Sequence, residues 1–112
     1  MSDEQVAEQL KAAKKRTGGL ARAAPELMKG FAAVAAVATR AGHFSAADRE
    51  LLAVAIAVAI RCEDCILYHV DAARRHGADE SALVEALEVA VEMGGGPAVM
   101  YAARALETYR AL

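Results

Sequence analysis

The chain has no tryptophan, and aromatic residues make up only 4% of its 112 positions. A core built on stacked rings is excluded, so alanine, valine and leucine must fill the interior. An excess of charge of one sign is also missing. The formal net charge is −2, which gives no electrostatic basis for binding nucleic acid or an anionic membrane. No apolar run is long enough to cross a bilayer, which takes about 20 residues; the longest is Leu51 to Ile60. The start, Met1-Ser2-Asp3-Glu4-Gln5, has neither the basic nor the apolar region of a secretory signal. A cytoplasmic location is therefore expected, where a cysteine pair is used for catalysis or metal binding more often than as a staple.

What is present is apolar and helical. Apolar residues reach 56%, which excludes a disordered chain, and the length suits one domain. Ser2 and Gln5 form a capping box for a first, peripheral helix. It should run to about Arg16, end at Thr17-Gly18-Gly19, and carry the basic residues Lys14-Lys15-Arg16 at its negative pole. Pro25 suits the first turn of a second helix. That helix passes through Phe31, Val34 and Val37 to Ala41, with Gly42 supplying a left-handed end.

Ser45 and Asp48 open a third helix. Its Leu51–Ile60 run partly alternates, but a strand is rejected because no second strand exists to pair with it. A helix apolar all round needs cover on all sides, and subunit contacts are expected to help. A fourth helix ends at Gly77 after Arg74-Arg75-His76. Asp79 caps a fifth, with Leu83, Leu87, Ala90 and Val91 on its apolar side. Gly94-Gly95-Gly96-Pro97 breaks it; this run lacks the lysine and hydroxyl residue of a phosphate-binding loop. A sixth helix, from Pro97 to about Arg110, carries Val99, Met100, Ala103 and Leu106. The expected fold class is all-α, with six helices.

The only two cysteines stand as Cys62-x-x-Cys65, with His69 four residues on. On a helix these are i, i+3 and i+7, one stripe. A thiol near pKa ~8.5 is mostly protonated at neutral pH. Cys62, expected in the first helical turn, would gain from the dipole; His69 could take the proton of Cys65. Two such thiols can close into a disulfide once one is oxidised. Glu50 is the fourth candidate, able to orient His69. In one unbroken helix it would lie about 18 Å from Cys62 at about 1.5 Å per residue. It reaches the thiols only if the chain turns near Arg61-Cys62.

Glu50, eleven intervening residues and Cys62-x-x-Cys65-x-x-x-His69 resemble the signature of the AhpD-like alkylhydroperoxidase branch of the carboxymuconolactone decarboxylase family. The resemblance runs from about Phe31 to Tyr109 and includes the Arg74-Arg75-His76-Gly77-Ala78 turn and the Gly94–Pro97 break. It implies an orthogonal six-helix bundle, with an N-terminal helix and linker over residues 1–24 and the family's own domain over 25–112. It also implies homotrimers or homohexamers, and reduction of hydroperoxides through a Cys62–Cys65 disulfide. Glu50, Cys62, Cys65 and His69 would form the proton relay, with an external dithiol or lipoyl-type reductant and no cofactor or metal. By that implication Glu50 is buried near His69.

One position departs from the branch, whose well-studied members resemble C-x-H-C. Here that histidine is Asp64, and a carboxylate beside a thiol opposes its ionisation. A charge-assisted hydrogen bond, about 1.5–3 kcal/mol, outweighs a terminal dipole effect of about 0.3–1 kcal/mol. Cys65 is therefore expected to attack and Cys62 to resolve. The competing readings are a zinc site on the same side chains, a lactone-acid decarboxylase of the same fold, and a non-enzymatic redox sensor. Attachment of c-type haem is excluded because Ile66, not histidine, follows Cys65. His43, His76 and Tyr68 are read as a loop residue, a dipole-compensating residue and a packing residue.

Overall fold

The computed structural model describes residues 2–112; Met1, the first residue of the stretch compared with a signal sequence, lies outside the described residues. Six helices follow one another: α1 Asp3–Ala23, α2 Pro25–Thr39, α3 Ala46–Ile60, α4 Glu63–Arg75, α5 Glu80–Gly94 and α6 Gly96–Ala111. No strand occurs among the described residues. The main core lies between α3, α4, α5 and α6. It is built from Val54, Val58, Ile66, Val70, Leu83 and Leu87 with small alanines, the composition that a chain without tryptophan requires.

The capping box forms as expected. The Ser2 hydroxyl accepts from the Gln5 N–H (3.2 Å), and the Ser2 N–H donates to Gln5 Oε1 (2.8 Å). The helix does not stop at Thr17-Gly18-Gly19, however; it continues to Ala23. Each interior glycine costs about 1 kcal/mol relative to alanine but raises no steric barrier. The barrier is Pro25, which pushes the preceding Ala24 out of helical geometry, to φ −133°. Val6, Leu10 and Ala13 are buried, and Val6 and Leu10 meet Leu67 of α4 in a second small cluster. The helix read as peripheral is thus packed onto α4 and α6.

Helix α2 begins at Pro25 but ends at Thr39, short of Ala41, and Gly42 does not adopt a left-handed conformation. Arg49 of α3 does the capping instead, with Nη1 donating to the carbonyls of Val37 (3.0 Å) and Ala38 (3.2 Å). None of the α2 side chains is buried. Leu27, Phe31, Val34 and Val37 are all more than half exposed. In α3, Leu51, Val54, Ala57 and Val58 enter the core, whereas Leu52, Ile56 and Ile60 form an outward stripe at four-residue spacing. The run expected to be covered on every side has one open side within the protomer.

The α3–α4 turn positions the site. Arg61 adopts φ +65°, ψ +45°, the only non-glycine residue at positive φ among those described. Its N–H reaches the Val58 carbonyl (3.3 Å) and the Cys62 N–H reaches Ala57 (2.9 Å), the paired bonds of a Schellman ending. Glycine usually fills that left-handed position because it lacks a Cβ. The same bonding recurs after α4, where Gly77 (φ +96°) precedes the Ala78 N–H bond to Ala73 (3.0 Å).

Asp79 caps α5, accepting from the Ala82 N–H (2.8 Å). Gly95 alone separates α5 from α6. Of the apolar residues named for the sixth helix, Leu106 packs against the core, but the others do not. Ala98, Ala105 and Thr108 are buried, while Val99 and Met100 are 49% and 69% exposed and Ala103 also faces out. Small residues win the inner face because the helices approach closely. A Cβ on Gly94 would stand 2.7 Å from the Ala98 Cβ. The far end of α6 is clasped to α5 by Arg110, which donates to both Glu80 oxygens (2.8 and 3.1 Å). That hydrogen bond holds the Glu80 carboxyl below its usual range. The clasp is therefore present above the ordinary glutamate range and fades as pH falls through the lowered value.

Candidate functional site

Helix α3 runs into the Arg61 turn and α4 returns alongside it, making the most extensive helix pair in the molecule. This reversal brings Glu50, near the start of α3, against His69, in the middle of α4. Glu50 is 2% exposed. Its Oε2 lies 2.9 Å from His69 Nδ1. A carboxylate this far from water needs a partner, and the imidazole supplies one. With Nδ1–H donated to Glu50, the opposite ring nitrogen, Nε2, becomes the basic one. The His69 side chain remains 26% exposed, so one ring edge is held by protein while part of the ring meets solvent. Tyr68 meets the ring edge-on, with centroids 5.1 Å apart.

The two cysteines are joined by a disulfide, with their Cα atoms 5.2 Å apart. Cys62 is not in the first turn of α4, as expected, but is its N-cap. First-turn N–H groups point out of the helix start, and an N-cap side chain folds over that end to accept from one of them. Accordingly the Cys62 Sγ accepts from the Cys65 N–H at 3.3 Å. Both residues are partly exposed, and Cys65 packs against the main core. Cys65 and His69 stand one turn apart on α4, as their spacing requires.

The four residues singled out from the sequence thus lie on two adjoining helices. The direct polar contacts shown are Glu50 with His69 and Cys62 with Cys65. Among the described residues, no group of three or more His, Cys, Asp or Glu side chains is placed to hold a metal ion. No helix among them is long and apolar enough to cross a membrane. His43 lies exposed in the α2–α3 connection, and His76 caps α4 at its C-terminal end.

Sequence reasoning missed the surroundings of Asp64. That residue does not stand alone beside the thiols, because Arg16 of α1 donates to it at 2.9 Å. Arg104 of α6 approaches Glu63 at 3.7 Å. Together they wall a cleft of about 220 Å³ beside the start of α4. Arg16 had been assigned to the helix dipole because α1 was expected to stop at the glycines. No spacing or periodicity in the sequence marks this pairing.

Residues 25–108 match the carboxymuconolactone decarboxylase family, and the chain belongs to it. An uncharacterised protein of Cupriavidus necator is 46% identical over 95 residues, which is 85% of this chain and 84% of that protein. The fold is similar to that of a carboxymuconolactone decarboxylase family protein from Legionella pneumophila, solved in its apo form. The TM-score is 0.90, with 37% identity and 96% of each chain covered. A second family member, from Thermotoga maritima, superposes with a TM-score of 0.79 at 25% identity, over 92% of this chain and 87% of that one. For that protein a part in an antioxidative response has been suggested.

The burial of Glu50 makes His69 a structural partner as well as a chemical one. His69→Ala should destabilise the fold by about 2–3 kcal/mol, because it leaves a buried carboxylate unpaired. Adding Glu50→Leu should recover most of that loss. Urea unfolding at one fixed protomer concentration measures both. A double variant no more stable than His69→Ala would show that the pairing does not hold the site.

Proposed function

We propose that this member of the carboxymuconolactone decarboxylase family is a thiol-dependent peroxidase of the AhpD-like type. One observation carries the reading: a Cys62–Cys65 disulfide at the head of the same helix that presents His69, backed by buried Glu50. The suggested antioxidative role of the Thermotoga maritima protein supports it. So does the chemistry of the side chains, since a vicinal dithiol with a nearby oriented base suits reversible two-electron reduction.

The cycle starts from the dithiol. His69 Nε2 takes the Cys65 proton while Glu50 holds the ring through Nδ1 and stabilises its charge. The Cys65 thiolate attacks the terminal oxygen of a hydroperoxide. The O–O bond breaks, the alkoxide leaves with the proton carried by His69, and Cys65 becomes a sulfenic acid. The Cys62 thiol then displaces water from that sulfenic acid, forming the disulfide. An external dithiol, of lipoyl type or similar, reduces it by exchange. A compartment with a reducing thiol pool, the cytoplasm, suits such a cycle.

The two sulfurs receive different support. The Cys65 N–H pointing at Cys62 Sγ stabilises charge on Cys62, which suits a leaving thiolate when the disulfide is reduced. The imidazole one turn beyond Cys65 suits the attacking one. Mass spectrometry after limiting peroxide should find sulfenic acid on Cys65 in Cys62→Ser. Little should form on Cys62 in Cys65→Ser. The reverse pattern would make Cys62 the attacking residue.

The protein should act as a homo-oligomer, a trimer or hexamer. A four-turn helix that buries none of its side chains and an outward Leu52–Ile56–Ile60 stripe leave apolar residues exposed on neighbouring helices, and exposed apolar patches mark interaction sites. Light scattering at micromolar concentration should report a multiple of the 11.7 kDa chain mass. A stable monomer would refute the assembly.

A further inference from the structure

The pair Glu63-Asp64 places two carboxylates in the first turn of α4, between the cysteines. They suit the helix dipole, but a negative charge next to a thiol disfavours the thiolate. The structure answers each acid with an arginine from a different helix. Arg16 Nη2 lies 2.9 Å from Asp64 Oδ2, and Arg104 Nη2 lies 3.7 Å from Glu63 Oε1. The Arg16 contact spans 48 positions of sequence, and it exists because α1 packs against α4 and α6.

We infer that Arg16 is a positioning residue for the cysteine pair: by binding Asp64 it offsets the negative charge beside Cys65 and keeps that thiol ionisable near neutral pH. Helix α1 lies outside the segment matched to the family. In this chain it closes one wall of the cleft at the thiol turn with Gln9, Ala12 and Arg16. The other charged groups around the turn are accounted for. Glu50 of α3 is paired with His69, and Glu63 with Arg104. Lys14 of α1 is directed to Asp71 (3.7 Å), Glu107 of α6 lies across the cleft, and Arg61 is exposed. Asp64 is the acid adjacent in sequence to Cys65, and Arg16 is the cation that meets it. Both side chains are more than half exposed, so the effect is modest and weakens with salt.

The inference rests on the proposed use of these cysteines as thiols, but its test needs no peroxide. The reduced protein is alkylated with iodoacetamide across a pH series, and the rate at each cysteine is read by mass spectrometry. Four forms close a cycle: wild type, Arg16→Gln, Asp64→Asn and the double variant. Arg16→Gln should raise the Cys65 midpoint by roughly 0.2–0.7 pH units, a 1.5- to 5-fold slower reaction near pH 7. Asp64→Asn should restore the midpoint in that background and change it less in the wild type. Arg16→Lys should retain most of the wild-type behaviour. At about 1 M salt, where the Debye length is about 3 Å, the Arg16→Gln difference should shrink. An unmoved midpoint in Arg16→Gln, or a shift that Asp64→Asn fails to reverse, would overturn the inference. Coupling in this cycle without any peroxide turnover would refute the peroxidase reading and leave the role of Arg16 standing.

Discussion

A carboxylate at 2% exposure has to be answered by a partner, and here a single imidazole, at 2.9 Å, answers it. The contact between Glu50 and His69 depends on most of the fold around it. It needs α3 to end in a tight reversal, and Arg61 accepts a left-handed conformation to make one. It needs α4 to lie flat on α3 so that position 69 meets position 50. Alanines at 57 and 73 are buried in the core between the two helices and add little bulk there. The cysteines sit at the turn itself, so the geometry that buries the acid also places the sulfurs at the head of the helix carrying the histidine.

Much of this was legible because it follows local rules. Ser2, Ser45 and Asp79 announce helix starts through hydroxyl or carboxylate caps, and all three cap as expected. Pro25 marks a start that nothing else could mark so sharply. The spacing of Glu50, Cys62, Cys65 and His69, read through its family resemblance, pointed to a chain reversal near Arg61, which the structure contains. The errors arose where local rules compete with tertiary ones. Gly18 and Gly19 weaken a helix without ending it, and the chain leaves helical geometry only at Ala24, before Pro25. Gly42 offered a left-handed residue that the chain did not use, while Arg61, which has no such preference, took that conformation. In α6, of the apolar residues named from the sequence, only Leu106 packs on the core. Close approach to Gly94 selects alanine instead, and Val99 and Met100 point outward. A contact such as Arg16 with Asp64 leaves no periodic trace at all.

The outward residues share a physical theme with the site. A core rich in alanine and valine lets helices approach closely, and several larger apolar side chains are left at the surface. Helix α2 is the extreme case, four turns with apolar residues and no buried side chain. The chain therefore combines a close-packed interior that holds Glu50 and His69 with an open apolar exterior. Between these, the first turn of α4 is the polar corner, where Arg16 and Arg104 meet the acids flanked by the cysteines. The sulfurs there are partly exposed, while His69 is anchored from within by Glu50.

The central claim is that the buried carboxylate governs thiol chemistry through His69. Its most direct test follows the peroxide-driven loss of free thiols by stopped flow in wild type and Glu50→Gln. The series runs from about pH 6 to 9, which brackets the ordinary histidine and cysteine values, with circular dichroism confirming the fold. Glutamine keeps the shape and a hydrogen-bond acceptor for Nδ1–H but removes the charge that stabilises protonated His69. The account predicts oxidation slowed by roughly ten- to a hundredfold, within the range by which positioned acid–base groups contribute, and a changed pH profile. Superimposable rate profiles for the two folded proteins would contradict it.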